Sequence, residues 1–361
     1  MSLAAAVALL ACAATGLAAP ARGPVSGAWS ADRLAEHGAA LRVQAQISGG
    51  VTAVRAREAR RLRHAKAREI NPLTQLPLYV QPGGPARAQA NAWRGSRPSD
   101  ADLIQTIAEQ PQGVWLGDWH YDVRSVVATR VAVARSVGAV PVLVAYNAPN
   151  RDCGQHSSGG AASGAAYRHW IDRLAQGIGE APAIVVLEPD GLAGMGCLSR
   201  PQRDQRVDLL SAAVERLSHL PATAVYIDAG NPGWVPAAVI ARRLRAVGVS
   251  GARGFAVNVS GFETTPRAMA FGHAISRRTG GAHFVIDTSR NGLGPAAGEW
   301  CNPAGRALGE RPTTATGDPL VDAFLWVKRP GESDGTCNGG PPAGTWWSEY
   351  ALGLAQRAAT P

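Results

Sequence analysis

The stretch AIVVLEPDGL, residues 183–192, decides the fold. Its first five residues are apolar and largely β-branched, and they read as a strand. Carboxylates follow directly at Glu188 and Asp190, and a helical pattern follows over Arg203–Leu217. The same unit recurs on both sides. Further strand candidates are Leu76–Val80, Gly113–Leu116, Ala139–Tyr146, Ala224–Ile227, Gly254–Val257, Ala282–Ile286 and Ala323–Val327. Helical stretches lie near Val123–Val137, Gly164–Ile178, Pro236–Val247 and Pro266–Arg278. Such alternation argues for a parallel sheet with crossover helices. Seven or eight units in roughly 285 residues fit a closed β/α barrel better than an open sheet. No short repeat is visible.

Composition supports a packed domain. Of 361 residues, 46% are hydrophobic and 17% charged, which excludes wholesale disorder. The net charge of +9 is concentrated near the start. Residues 20–70 carry ten basic and four acidic side chains, a net +6, and residues 1–19 carry none, leaving +3 for residues 71–361. The basicity therefore belongs to an arm and not to a nucleic-acid-binding body. Residues 1–19, MSLAAAVALLACAATGLAA, resemble a secretory signal cleaved near Ala18 or Ala19, although the usual leading Lys or Arg is missing. Residues 20–75 read as a basic Ala/Arg-rich arm or linker, and residues 76–361 as the catalytic domain. No apolar run of membrane-spanning length follows the N-terminus.

Polar residues gather just after the strand candidates. They include Asp118, Trp119 and His120; Tyr146, Asn147 and Asp152; Glu188 and Asp190; Asp228; Asn258; Asp287; and Lys328, Glu332 and Asp334. In a barrel these ends converge on one face. A single strand-end carboxylate is ordinary helix capping, but five or more converging exceed what caps explain. A carboxylate pair suits glycoside hydrolysis, with one acid protonating the leaving oxygen and another group directing water. Trp115, Trp119, Trp234 and Trp300 lie in or beside the same loops, where indole faces can stack on pyranose rings or serve the core. No GxxxxGK[ST] or HExxH motif is present, so phosphate-loop and zincin chemistries are disfavoured. The reading includes neither metal nor organic cofactor.

The strings YNAPNRDCG (146–154), HSSGGA (156–161), LEPDGL (187–192), IDAG (227–230), IDTSRNG (286–292), GEWCNP (298–303), TGDPLVDAFLWVK (316–328) and GESDG (331–335) resemble glycoside hydrolase family 6, the cellulase family of endoglucanases and cellobiohydrolases. The resemblance covers about residues 76–357. It implies a distorted, incompletely closed seven-stranded parallel β/α barrel and inverting hydrolysis of β-1,4-glucans. It implies that Asp190 is the general acid and that Asp152 keeps that acid protonated. Asp334 becomes the candidate base, with proton transfer through a water chain as the alternative. Tyr146 would lie beneath the distorted sugar, and Lys328 and Glu332 would bind its hydroxyls. Trp234 and Trp300 would be stacking platforms, and Asp228 would shape the site electrostatically. Trp115, Trp119, Asn231 and Asn258 complete the expected substrate contacts. Asn231 replaces the usual His after DAG, Gly261 replaces a common Asn, and Gln81-Pro82 replaces Asn-Pro.

Four cysteines remain beyond Cys12, and four allow three pairings. The resemblance, together with proximity in the chain, favours Cys153–Cys197 and Cys301–Cys337. Processive members of the resembled family roof their cleft with two long loops, one following the ESDG string; here only Thr336 to Ala343 separates Gly335 from Gly344, so the resemblance implies an open cleft and internal cutting. The combined reading is a secreted, monomeric endo-β-1,4-glucanase acting on a glucan polysaccharide, without membrane insertion. The competing readings are an exo-acting cellobiohydrolase, a non-catalytic glucan-binding protein and a polyanion binder driven by the arm.

Overall fold

Seven short strands run parallel in strict chain order: β1 (Val114–Leu116), β2 (Val142–Ala145), β3 (Ala183–Leu187), β4 (Thr223–Asp228), β5 (Gly254–Val257), β6 (His283–Asp287) and β7 (Val321–Leu325). The structure is a computed structural model that describes residues 71–358. The leader, Cys12 and the arm up to residue 70 lie outside the described residues. Helices connect and cover the strands: α1 (Pro85–Trp93), α2 (Pro98–Ala108), α3 (Val123–Ser136), α4 (Gly164–Ile178), α5 (Arg200–Ser218), α6 (Ala237–Ala246), α7 (Thr265–Ser276) and α8 (Ser348–Ala358).

Both faces of the sheet are apolar, which is why the strands read as continuous hydrophobic runs. Leu143, Val185, Leu187, Val225, Ile227 and Phe255 pack outward against Val127, Leu174, Leu210 and Ile240 of the helices. Val142, Val144, Ile184, Val186, Tyr226, Val285 and Leu325 fill the interior. Local signals start the helices. Asp122 caps α3 through Arg124 N, and Ser163 caps α4 through Ala166 N. Ser199 and Gln202 form a capping box on α5.

The barrel is not closed, in contrast to the expectation from unit counting alone and in agreement with the distorted seven-stranded form. Between the first and last strands the described residues form no ladder, only an isolated bridge between Gln112 and Trp326 just outside them, where Gly113 N donates to Trp326 O at 2.9 Å. A Cβ on Gly113 would lie 2.4 Å from Val327 O, so glycine is what permits this approach. Helices α1, α2 and α8, absent from the sequence reading, pack together around Trp326 beside this seam through Ile104, Ile107, Leu352 and Leu354.

Three boundaries need correction. Leu76–Val80 is not a sheet strand. Leu78 makes an isolated bridge to Val140, framed by Tyr79 N to Val140 O and Val140 N to Pro77 O. Residues 71–75, assigned above to the arm, form a turn with Leu73 buried and Asn71 Nδ2 donating to Asp322 O at 2.6 Å. The last strand begins two residues before its expected start, because it contains the buried charge Asp322.

Asp322 lies in an internal network. Arg253 donates to it through Nε (2.7 Å) and Nη2 (2.8 Å), and Tyr226 donates its hydroxyl at 2.8 Å. His283 Nδ1 lies 3.1 Å away. Burial alone would raise the Asp322 pKa, but Arg253 and His283 outweigh it and hold the carboxyl below its ordinary range. Asp322→Ala should therefore cost about 3–5 kcal/mol in urea denaturation at pH 7, because it strands a buried guanidinium. A depressed native pKa places this contribution above roughly pH 4, with loss as pH falls through the native value, so the variant's acid-side stability slope should be flatter. Equal stability of the two proteins would show that the network contributes nothing.

Candidate active site

The C-terminal strand ends open into a cleft of about 680 Å³. Asp152, Asp190, Asn231, Trp234, Trp300 and Asp334 all line it, so residues far apart in the chain converge there. The loops that carry them are conformationally demanding. Asn150, Asp152, Cys153, Glu188 and Asp190 all adopt positive φ, between 49° and 66°. Non-glycine residues avoid this region unless the surroundings hold them in it.

Buried carboxylates supply much of that hold. Glu188, just after β3, accepts Asn147 N (3.0 Å) and Ala148 N (2.9 Å) from the loop after β2. Asp228, at the end of β4, accepts Asp190 N (2.9 Å) from the loop after β3 and Gly230 N (3.0 Å). Asp287, at the end of β6, accepts Ser260 N and Lys328 N, each at 2.9 Å, from the loops after β5 and β7. Three of the converging carboxylates are thus staples between loops, although the sequence counted them with the chemical groups.

Asp190 sits in the cleft with its amide held by Asp228. Burial, then the charges of Asp152 and Asp334, push its pKa up to about 7, against the opposing pull of Lys328. It stays protonated into the neutral range, as a general acid requires. Burial also raises Asp152, whose carboxylate accepts Ser157 N at 2.6 Å and lies near His156. Asp334 has the opposite character. Burial would raise its pKa, but Arg290 at 2.9 Å and Lys328 at 3.2 Å lower it, and Asn302 N donates to it at 3.0 Å. It remains ionised.

Tyr146 is buried edge-on to Trp115, with ring centroids 5.2 Å apart, and the Arg151 guanidinium lies 4.8 Å from its ring centroid. Burial, followed by the charges of Asp190 and Asp152, raises the phenol's pKa. Trp115 is partly internal, its Nε1 donating to Val327 O. Trp119 is 52% exposed, Trp234 46% and Trp300 57%, as open stacking surfaces would be. Asn231 accepts Gly233 N beside the cleft. Glu332 pairs with Arg329 at 3.0 Å, and Lys328 also donates to Ser333 O.

Asn258 does not reach the cleft. It is fully buried, its Nδ2 donating to Asp287 O and Glu263 O and its Oδ1 accepting Glu263 N. It braces a turn, and a Cβ on Gly261 would lie 2.2 Å from its Oδ1, which explains why glycine stands there in this chain. Asp228 likewise is 1% exposed, with Oδ2 occupied by two amides, and acts from beneath the site.

Sequence reasoning left out Arg151 and Arg290 as site residues. Arg151 pairs with Asp118 at 2.8 Å and donates to the carbonyls of Tyr146, Ser157 and Ser158. Arg290 is fully buried and joins Asp334 to Ser260 O. Position offered the only signal, since Arg151 lies within YNAPNRDCG and Arg290 within IDTSRNG; hydropathy assigns both to the surface. Glu263, which lines the cleft and pairs with Arg267 at 2.7 Å, was also missed.

A protonated carboxyl and an ionised one, in a cleft flanked by indoles, form a site suited to cleaving glycosidic bonds. The family model described as glycosyl hydrolases family 6 matches residues 73–358, and the chain belongs to that family. Endoglucanase A of Cellulomonas fimi is 48% identical over 269 residues, covering 74% of this chain; the chain spans 59% of that relative's length. The probable 1,4-β-D-glucan cellobiohydrolase C of Neosartorya fischeri is 32% identical over 356 residues, covering 78% of this chain and 77% of the relative. Among solved structures, the endoglucanase Cel6 of Mycobacterium tuberculosis, in complex with methyl-cellobiosyl-4-deoxy-4-thio-β-D-cellobioside, is 48% identical with a TM-score of 0.77. That match covers 80% of this chain and 99% of the other.

Both expected disulfides are present. Cys153–Cys197 joins the Asp152 loop to the segment after Asp190, and Cys301–Cys337 joins the Trp300 loop to the segment after Asp334. The segment 336–343 folds back on the Trp300 loop, with Asn338 Nδ2 donating to Cys301 O and Asn302 Nδ2 to Cys337 O. Reduction should lower the melting temperature, each bridge contributing roughly 2–4 kcal/mol. An unchanged melting temperature in the thiol-blocked, reduced protein would contradict this.

Proposed function

We propose that this protein is a secreted endo-β-1,4-glucanase that cleaves internal glucan bonds with inversion. The observation that carries the reading is Asp190, a carboxyl kept protonated to near neutrality between Asp152 and Asp334 in a tryptophan-flanked cleft. Asp190 gives its proton to the glycosidic oxygen as the C1–O bond breaks. Water attacks C1 from the opposite face and forms the new C1–OH bond. Asp152 destabilises the ionised form of the acid and stabilises positive charge developing at C1. Asp334 is the candidate base. Its two ion pairs keep it ionised but weaken its basicity, which favours passage of the water's proton through intervening water over direct abstraction.

Trp234 and Trp300 would hold sugar rings on the cleft walls, Trp119 would hold one at its own exposed face, and Asn231, Lys328 and Glu332 would bind hydroxyls. The short, folded-back 336–343 segment supports an unroofed cleft and internal cutting. The apolar leader and two disulfides support export to an oxidising compartment. No helix among the described residues is long and apolar enough to cross a membrane. We take the active form to be a monomer.

Viscosity and reducing ends are to be followed together on carboxymethylcellulose, beside Asp190→Ala. A fast viscosity drop with few new ends is expected, and the variant should lose roughly 10²–10⁴-fold in turnover. Full turnover by the folded variant would refute the assigned acid. New ends without viscosity loss would establish exo action and overturn the loop argument. Since the acid form is the active one, the alkaline limb of the pH–rate profile should fall near 7, where Asp190 loses its proton, and a limb beyond pH 9 would exclude it.

A further inference from the structure

Arg206 stands on α5, contributes to the lining of the cleft and is 6% exposed. Its Nη1 donates to Gly191 O at 3.0 Å, one residue past Asp190. Its Nη2 donates to Pro149 O at 2.5 Å and, at 3.5 Å, approaches Asn150 O, two residues before Asp152. One planar guanidinium therefore grips the backbone of both acid-bearing loops. Its charge faces Glu188, whose carboxylate holds the amides of Asn147 and Ala148 at the root of the Asp152 loop. Beyond Asp152 and Asp190, the same loops are joined by Cys153–Cys197. The inner tie is polar and the outer one covalent.

We propose that Arg206 is a positioning residue of the acid pair: by gripping carbonyls on both loops it sets how closely Asp152 and Asp190 face each other, while the disulfide secures the outer margin. The inference rests on the reading of Asp190 as the acid. Both loops need an external hold, because Asn150, Asp152 and Asp190 all have positive φ. Lysine cannot replace the grip, since a single ammonium lacks the rigid fork that reaches two loops at once. The groups that set the ionisation of Asp190 are Asp152, Asp334 and Lys328, with the buried Asp228 beneath, itself raised by the Asp190 charge. Of these four, only Asp152 is carried on a loop that Arg206 grips.

The test compares R206K, the double variant C153S/C197S and D190A with the unmodified protein, using cellotetraose and 2,4-dinitrophenyl β-cellobioside. R206K should lose about tenfold or more in kcat on cellotetraose. Its KM should stay within about twofold. Its alkaline limb should move down by roughly one pH unit as Asp152 draws away. The dinitrophenyl substrate, which needs little proton donation, should be less affected. The disulfide variant should melt lower but keep its alkaline limb. R206K with unchanged kcat and limb would overturn the proposal, as would an equal loss on both substrates with the limb unmoved, the signature of general loosening. Should R206K not fold, the disulfide variant decides: an unmoved limb supports the inner tie, and a displaced limb assigns the spacing to the disulfide. Full turnover by D190A would defeat the underlying reading separately.

Discussion

Carboxylates at the strand ends hold backbone amides of the loops beside them, and the rest of the site depends on this interaction. Glu188, Asp228 and Asp287 are each no more than 2% exposed, which would be costly for unpaired charges. Bonds from two or more amides offset part of that cost at each position, while burial still raises all three pKa values, that of Asp228 most strongly with the charge of Asp190 beside it. In return the loops keep conformations that non-glycine residues rarely adopt. The Asp190 amide is held by β4, the strand after its own, so the acid is placed by the sheet as well as by its loop.

One functional group performs opposite tasks here according to its surroundings. Asp190 faces two other carboxylates in a region shielded from water, and it keeps its proton. Asp334 is just as enclosed but faces Arg290 and Lys328, and it gives its proton up. The stapling carboxylates are deeper still, with amides as their main partners. Lys328 opposes the raised pKa of Asp190 and lowers that of Asp334, so it lies at the boundary between the two behaviours.

The sheet was legible because strands buried on both faces leave uninterrupted apolar runs in the chain. Six of the seven observed strands overlap those runs closely. The seventh was displaced because Asp322 looked like a surface residue, and only Arg253, Tyr226 and His283, brought in from other elements, make its burial tolerable. Leu76–Val80 was over-read because local composition cannot tell one bridge from a ladder. In the site, Asp152, Asp190, Trp234 and Trp300 were legible from their strings and their positions after strands. The staple role of Asp228 and the bracing role of Asn258 were not, since both depend on which amide in a distant loop lies within reach.

The staples also bear on how this scaffold can be re-engineered or can diverge. Four of the loops do not form self-sufficient modules with their own strands, because those after β2, β3, β5 and β7 are anchored by a carboxylate at the end of a neighbouring strand. The loop after β3 is anchored from β4, and the loops after β5 and β7 share Asp287 on β6 between them. Transplanting one loop from a relative would leave its anchor behind and an orphaned carboxylate in the recipient. The unit that can be exchanged intact is a loop together with the end of the strand beside it, so inheritance and grafting in this fold proceed in overlapping pairs.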